Sequence, residues 1–265
     1  MLHVMIDAYG SNSPNLDNLK TVYDGIVKIT NFLGLKTIMP PSLVPYYYGK
    51  VREDDGISAF VLLKGGHFTI HTFPQRECYF VDVLYDGFVN ESKLVDVLRE
   101  EFPFERDIVH SVDRRFEIEK QIVAKIDEQR DFGPHYLMRN IKPIDLDMDK
   151  IYAFLDSVPV LINMDPISRP TVITDKVANP NIISGLTVIA QSHIAIHYYI
   201  AEKKFWLDIF SCSFIECENI IKTVEQLLGL EVEWKLISRG SKHTDKITDR
   251  DEYIARFNVW QENIR

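Results

Sequence analysis

The stretch Ile183-Ser-Gly-Leu-Thr-Val-Ile-Ala-Gln-Ser-His-Ile-Ala-Ile-His197 has a near copy earlier in the chain, Ile57-Ser-Ala-Phe-Val-Leu-Leu-Lys-Gly-Gly-His-Phe-Thr-Ile-His71. Each residue of the second copy lies 126 positions after its counterpart, and the same offset carries Asp82 onto Asp208. The alternating and β-branched residues of both copies are typical of strands. Stretches with helical spacing of apolar residues precede and follow each copy. The repeat therefore predicts a duplicated α+β unit.

The repeat also predicts the domain boundaries. We expect a first repeat over residues 1–103 and a second over 133–237, each an antiparallel β-sheet with helices on one face. Residues 104–132 are rich in charge and are interpreted as a linker or an embellishment. Residues 238–265 are polar and are interpreted as a C-terminal extension.

The composition indicates a soluble globular protein. The chain has 265 residues, of which 46% are hydrophobic and 26% charged, and its net charge is −9. An acidic chain without a basic stripe argues against nucleic acid and anionic membranes as partners. No apolar run approaches the ~20 residues of a membrane span, and the first residues do not resemble a signal peptide. Three scattered cysteines are too few for a disulfide framework, so we expect the reducing cytoplasm.

Two hairpins bring histidines close to acidic residues. A tight turn at Ala201–Lys204 predicts that His197 faces Asp208, and the same geometry in the first repeat places His71 opposite Asp82. Such pairs are either structural hydrogen bonds or catalytic pairs, and the spacing does not choose between them. His-x-x-x-His occurs twice, but on strands four residues span ~13 Å, too far for a shared metal ion. We therefore predict no metal site.

The residues around the second copy resemble a known family. Gln191-Ser-His-Ile-Ala-Ile-His197 and Leu207-Asp-Ile-Phe-Ser-Cys212 are similar to the pyruvoyl-dependent S-adenosylmethionine decarboxylases, in their short bacterial and archaeal form. That family has a serine eight residues before its cleavage-site serine and a cysteine twenty residues after it. Ser184 and Cys212 stand at those distances from Ser192. Further similar stretches are Asp7–Gly10, Met39–Pro41, Gly66–Pro74 and Phe132–His135.

The resemblance implies a self-made cofactor. The chain would break between Gln191 and Ser192, and Ser192 would become a pyruvoyl group that forms a Schiff base with the substrate. His197 and Ser184 would assist this processing, and Cys212 would be the proton donor during turnover. We assign Asp208, from the hairpin geometry, to orienting His197, with a salt bridge at the strand end as the open alternative.

The same resemblance implies an architecture and a division of labour. Short family members place their active sites between two packed sheets of a dimer, so this chain is expected to build an intramolecular pseudo-dimer, a four-layer αββα sandwich, with possible further homo-oligomers. Where the family has its serine and cysteine, the first repeat has Gly66 and Asp86. That repeat is therefore predicted to be catalytically inert and to donate pocket walls. Gln191 also replaces a glutamate of the family.

Three functions follow as alternatives. The leading hypothesis is S-adenosylmethionine decarboxylation, which supplies polyamine synthesis, spermidine included. A pyruvoyl-dependent ornithine or arginine decarboxylase is the second, because the machinery acts on the shared α-amino acid part. The third is a non-catalytic regulatory or assembly partner, suggested by Gly66, Asp86 and Gln191. The partner is a small molecule in the first two cases.

Overall fold

The fold consists of two copies of one α+β unit, as the repeat predicts. The computed structural model describes residues 1–11, 14–49, 51–115, 131–175, 179–190, 192–212 and 216–241. Within these ranges it has two six-stranded antiparallel sheets and four α-helices. None of the helices among the described residues has the length and apolar character needed to span a membrane.

The two sheets have the same strand order. The first sheet contains β1 (Leu2–Tyr9), β2 (Ser42–Tyr46), β3 (Gly56–Leu63), β4 (Gly66–Phe73), β5 (Cys78–Tyr85) and β6 (Arg106–Asp113). The second contains β7 (Asp131–Asn140), β8 (Thr171–Asp175), β9 (Asn179–Ile189), β10 (Ser192–Tyr199), β11 (Lys204–Phe210) and β12 (Val232–Ser241). Their orders are β2-β3-β4-β5-β1-β6 and β8-β9-β10-β11-β7-β12. β4 and β10 therefore occupy equivalent central positions.

The layers follow from which faces are apolar. Helices α1 (Leu19–Phe32) and α2 (Glu91–Glu101) pack on the first sheet, and α3 (Met148–Leu161) and α4 (Cys217–Leu228) pack on the second. In α1, buried Val22, Ile26 and Ile29 recur at helical spacing and form the packing stripe. The remaining faces of the two sheets pack on each other through a cluster of Phe60, Leu62, Leu186, Val188 and Ala195. The four-layer αββα sandwich is confirmed.

Two predicted boundaries are wrong, because each repeat ends with one more strand. β6 pairs with β1, so the start of the stretch interpreted as a 104–132 linker is the sixth strand of the first sheet. β12 pairs with β7 and extends to Ser241, past the predicted end of the second repeat. β6 is an edge strand with half-exposed, charged residues, and such a strand resembles a loop in its sequence. Residues 116–130 and 242–265 lie outside the described residues.

The predicted hairpin register is shifted by two positions. His197 pairs with Trp206 and Asp208 with Ala195, while in the first repeat His71 pairs with Phe80. The reason is that the β10–β11 loop is Ile200–Lys203, one residue earlier than expected. Its last residue has a left-handed backbone (φ 52°), which closes the four-residue loop there.

Candidate active site

The structure brings Ser192 and Cys212 together, as the resemblance predicts. Ser192 is the first residue of β10 and is fully buried. Its Oγ accepts a hydrogen bond from the backbone N–H of Cys212 at 2.9 Å. The Cys212 Sγ lies 3.2 Å from the carbonyl oxygen of Ala190. A serine hydroxyl and a thiol thus flank the peptide where cleavage is predicted. Gln191 itself lies outside the described residues.

Ser184 and His197 also meet, but at the other end of the strand. The Oγ of Ser184 lies 2.9 Å from Nδ1 of His197, on the paired strands β9 and β10. His197 is five residues beyond Ser192, which corresponds to about 16 Å along a strand. The prediction that this pair assists processing of Ser192 requires it at the Ser192 end. The pair thus lies away from Ser192 along β10, and its part in processing stays a prediction.

Asp208 does not orient His197, so that prediction is wrong. The ring nitrogens of His197 contact Ser184 on one side and His67 on the other. Asp208 instead accepts a hydrogen bond from the guanidinium of Arg114, in a fully buried ion pair. The two-position shift of the hairpin register separates the carboxylate from the imidazole. The salt-bridge alternative is the correct one, although the bridge lies in the core.

A second serine–histidine pair, from the first repeat, stands at the Ser192 end. The Oγ of Ser58 lies 2.8 Å from Nδ1 of His71. Nε2 of His71 lies 2.9 Å from Nδ1 of His193, the residue that follows Ser192. Ser58 and His71 precede Ser184 and His197 by 126 positions, so the pairs are equivalent. β4 and β10 face each other across the two packed sheets. The serine–histidine pair of each repeat therefore contacts a histidine of the other repeat.

The equivalent end in the first repeat has no room for a serine. A Cβ added to Gly66 would lie 1.8 Å from the backbone oxygen of Leu84, so any side chain there requires the backbone to move. The Tyr199 hydroxyl of the second repeat donates a hydrogen bond to the carbonyl of neighbouring Gly65, at 3.3 Å. The geometry agrees with the expectation that the first repeat is inert.

Two arginines that sequence reasoning missed cross between the repeats. Arg114 follows β6 and binds Asp208 of the second repeat. Arg239, in β12, donates from Nη1 to Asp82 of the first repeat and from Nε to Asp7, both at 2.6 Å. All five side chains are buried. The sequence does show an arginine near the end of each repeat, and this similarity could have identified them. The predicted boundaries ended before both arginines, so neither was assigned to a repeat.

The only candidate metal ligands that the described ranges group together are His3, His135 and Asp208, whose ligand atoms lie within 4.8 Å of one another. Arg114 and Arg239 donate to Nδ1 of His3 and His135, at 3.2 and 3.0 Å. In a neutral ring this leaves the proton on Nε2, so neither histidine offers a second lone pair to a metal ion. These contacts favour a hydrogen-bonded network, and the absence of a metal stays a prediction.

Comparison with known proteins identifies the family. A sequence model of the S-adenosylmethionine decarboxylases matches residues 2–115 and 142–240, most of the chain and both repeats. The chain belongs to this family. Ser58 and His71 lie in the first matched region, and Ser184, Ser192, His197 and Cys212 lie in the second. No curated protein matches the chain.

Solved structures with some similarity include a family member. The adenosylmethionine decarboxylase from Aquifex aeolicus VF5 is 19% identical, and the alignment covers 42% of this chain and 92% of that one, with a TM-score of 0.34. A protein of unknown function from Galdieria sulphuraria is 8% identical over 89% and 97% of the two chains, with a TM-score of 0.21. A putative glycine cleavage system transcriptional repressor is 10% identical over 90% and 98%, with a TM-score of 0.20. The assignment to the decarboxylase family rests on the sequence model.

Six histidines are buried between the sheets of this decarboxylase-family fold: His3, His67, His71, His135, His193 and His197. Burial lowers the pKa of every one of them, and it lowers the pKa of His71 and of His197 to about 3. Burial acts in the opposite direction on carboxyl groups and raises the pKa of Asp82 to about 6. The histidines are therefore neutral at pH 7, and the serine–histidine pairs can act as bases.

These shifts predict a fold that loses stability in acid. A histidine with a lowered pKa contributes stability that is complete above pH 6.5 and is lost as the pH falls, because the unfolded chain takes up the proton first. Asp82 and Asp208 oppose this as the pH falls, because their raised pKa values make the folded state bind the proton. Six histidines outweigh these two carboxyl groups, so we expect the free energy of unfolding to fall by on the order of 5–10 kcal/mol from pH 7 to pH 5.

Urea unfolding followed by tryptophan fluorescence at pH 7.5, 6.5 and 5.5 measures this loss. Replacing His67 by leucine removes one of the titrating groups. The total loss of unfolding free energy between pH 7.5 and pH 5.5 should then be smaller by about 1.4 kcal/mol. A free energy that is flat across this range would show that folding does not lower the pKa of the buried histidines.

Proposed function

We propose that this chain is a self-processing, pyruvoyl-dependent decarboxylase, with S-adenosylmethionine as its substrate. The observation that carries the proposal is the contact between Ser192 and Cys212 at the start of β10, in a chain of the S-adenosylmethionine decarboxylase family. The contact exists in the second repeat, while the equivalent glycine of the first repeat cannot accept a side chain. One active site per chain is the consequence.

Processing requires one serine and one base. In the proposed step the Ser192 Oγ attacks the carbonyl carbon of residue 191, and the peptide bond is replaced by an ester. A base removes the α-proton of residue 192, and the ester carbon–oxygen bond breaks to leave a new carboxyl terminus at Gln191. Hydrolysis of the remaining enamine releases ammonia. The products are chains of 191 and 74 residues, and the second begins with the pyruvoyl group.

We assign the base to His71, assisted by Ser58, in place of His197 and Ser184. His71 is neutral, because burial lowers its pKa to about 3. It lies against His193, next to the residue whose α-proton must leave. The pair acts between repeats, which gives the inert first repeat a chemical task. Fusing the two units holds this pair beside Ser192 at a high effective concentration.

Turnover needs an electron sink and a proton donor. The pyruvoyl group supplies an electrophilic carbonyl that accepts the electrons released with CO₂. We assign the returning proton to the Cys212 thiol, since a cysteine side chain can act as a general acid. Its Sγ lies 3.2 Å from the Ala190 carbonyl, beside the new terminus.

An aromatic pair near this site favours the sulfonium substrate. Tyr46, at the end of β2, packs edge-on to Tyr48 with ring centroids 4.5 Å apart. Burial raises the pKa of the Tyr46 hydroxyl, and the nearby Asp165 carboxylate and Cys212 thiol add to the increase. Two adjacent aromatic rings are suited to a flat purine and to a sulfonium cation. A basic amino acid would interact with these rings through its positive charge alone.

The test has two readouts. The intact mass of the purified protein should show chains of 191 and 74 residues, and the shorter chain should have a ketone instead of an amino terminus. Release of labelled CO₂ from S-adenosylmethionine, ornithine and arginine in parallel then identifies the substrate. A larger release from either amino acid would reassign the substrate. A chain that stays intact would favour the non-catalytic partner.

A further inference from the structure

Two hydrogen-bonded chains of side chains cross between the sheets. In the first, Ser58 contacts His71 at 2.8 Å and His71 contacts His193 at 2.9 Å, with the two imidazole planes 10° apart. In the second, Ser184 contacts His197 at 2.9 Å and His197 contacts His67 at 2.8 Å, with planes 17° apart. The two chains are equivalent by the 126-residue offset. Each ends on a histidine of the opposite repeat.

In each hydrogen-bonded series, the histidine from the opposite repeat restricts the rotation of the middle histidine. His71 has both ring nitrogens engaged, one by Ser58 and one by His193, so its ring cannot turn without breaking a buried hydrogen bond. An unmade hydrogen bond at a buried group costs about 1–3 kcal/mol. The Nε2 of His193 has no hydrogen-bond partner among the described residues. Ser58 therefore holds Nδ1 of His71, and His193 is the contact from the other repeat that holds Nε2.

From this arrangement we propose that His193 is a positioning residue for processing, which holds His71 with Nδ1 toward Ser58. The proposal rests on the proposed function, since it concerns the same cleavage. His193 follows Ser192 directly, and adjacent Cα atoms are fixed about 3.8 Å apart. The residue to be processed and the group that orients its base thus lie on one rigid strand. The base comes from the other repeat, and His193 sets its register against the scissile peptide.

The equivalent chain provides a matched control. His67 is as deeply buried as His193 and makes the same contact with His197. The hydrogen-bonded series that contains His67 ends beside Gly66, which has no side chain that could be processed. A role confined to packing would make the two histidines equally sensitive to substitution. A positioning role makes only His193 sensitive.

The experiment measures the rate at which freshly synthesised full-length chain separates into two. Leucine at position 193 keeps the bulk and removes the hydrogen bond, while asparagine places a polar atom where Nδ1 was. We expect H193L to slow processing at least tenfold, H193N to stay within threefold of the unaltered chain, and H67L to stay within twofold. Equal rates for H193L and H67L would overturn the proposal, as would an H193N rate as low as that of H193L.

A second measurement covers the case in which H193L does not fold. In the Ser192→Ala chain, imidazole ¹⁵N chemical shifts report which ring nitrogen of His71 carries the proton. Adding His193→Asn should keep His71 in one tautomer, and adding His193→Ala should give a mixture. One tautomer in both would overturn the positioning role. If the unaltered chain never separates, the proposed function fails first, which is a distinct result.

Discussion

Replacing Ser192 by alanine is expected to leave a single chain of 265 residues and to abolish CO₂ release. Alanine has no Oγ, so the ester cannot form and no ketone is generated. Protein side chains provide no comparable electron sink, so no residual pathway is expected. The fold should survive, because the Oγ accepts one described hydrogen bond, from the Cys212 N–H, and such a bond is worth about 1 kcal/mol. Intact mass and labelled CO₂ release measure both effects.

The matched variant is Cys212→Ala. The backbone N–H that contacts Ser192 remains in this variant, so processing should proceed. Only the proton donor is lost, and general acids typically contribute 10²–10⁴-fold to a rate. We therefore expect two chains with turnover reduced at least a hundredfold. If Ser192→Ala still separated into two chains or released CO₂, the serine would not be the origin of the cofactor. If Cys212→Ala kept full turnover, the proton donor would be another group.

The part of the site that the sequence predicts is the part held within one repeat. Ser192 begins β10, and Cys212 follows two residues after the end of the neighbouring strand β11, so strand pairing brings them together. Ser184 and His197 meet for the same reason. The repeat itself, with its constant offset, predicts both sheets and the helices on them, because apolar periodicity shows which face of each element is buried.

The part that the sequence misses lies between the repeats. Which end of β4 faces which end of β10 depends on how two sheets pack, and strand periodicity carries no information about that. The packing of the two sheets places His71 against His193, next to Ser192, while His197 contacts His67. β6 was missed because its residues are exposed or half-exposed and several are charged, so its sequence resembles a loop. The end of β12 was missed because the predicted second repeat stopped at residue 237. Arg114 and Arg239, which join the two repeats, were therefore missed as well.

Arg239 is expected to be the most important single residue for stability. It is fully buried and neutralises Asp7 and Asp82 at once. Methionine can fill most of its volume but leaves two buried carboxylates without a counter-charge. Removing one partner of a buried ion pair typically costs about 3–5 kcal/mol. We expect Arg239→Met to lower the free energy of unfolding by at least this amount, measured by urea titration in the Ser192→Ala background so that one intact chain unfolds.

The equivalent Arg114→Met gives a graded comparison. Arg114 forms its ion pair with Asp208, whereas Arg239 is shared by two carboxylates, so we expect the smaller loss from Arg114. Adding Asp82→Asn to Arg239→Met removes one of the two uncompensated charges and should restore part of the stability. The non-additivity of the two substitutions then measures the coupling between the repeats. If Arg239→Met lay within 1 kcal/mol of its parent, the cross-repeat pairs would not hold the two sheets together, and packing between Phe60, Leu186 and their neighbours would have to do so alone.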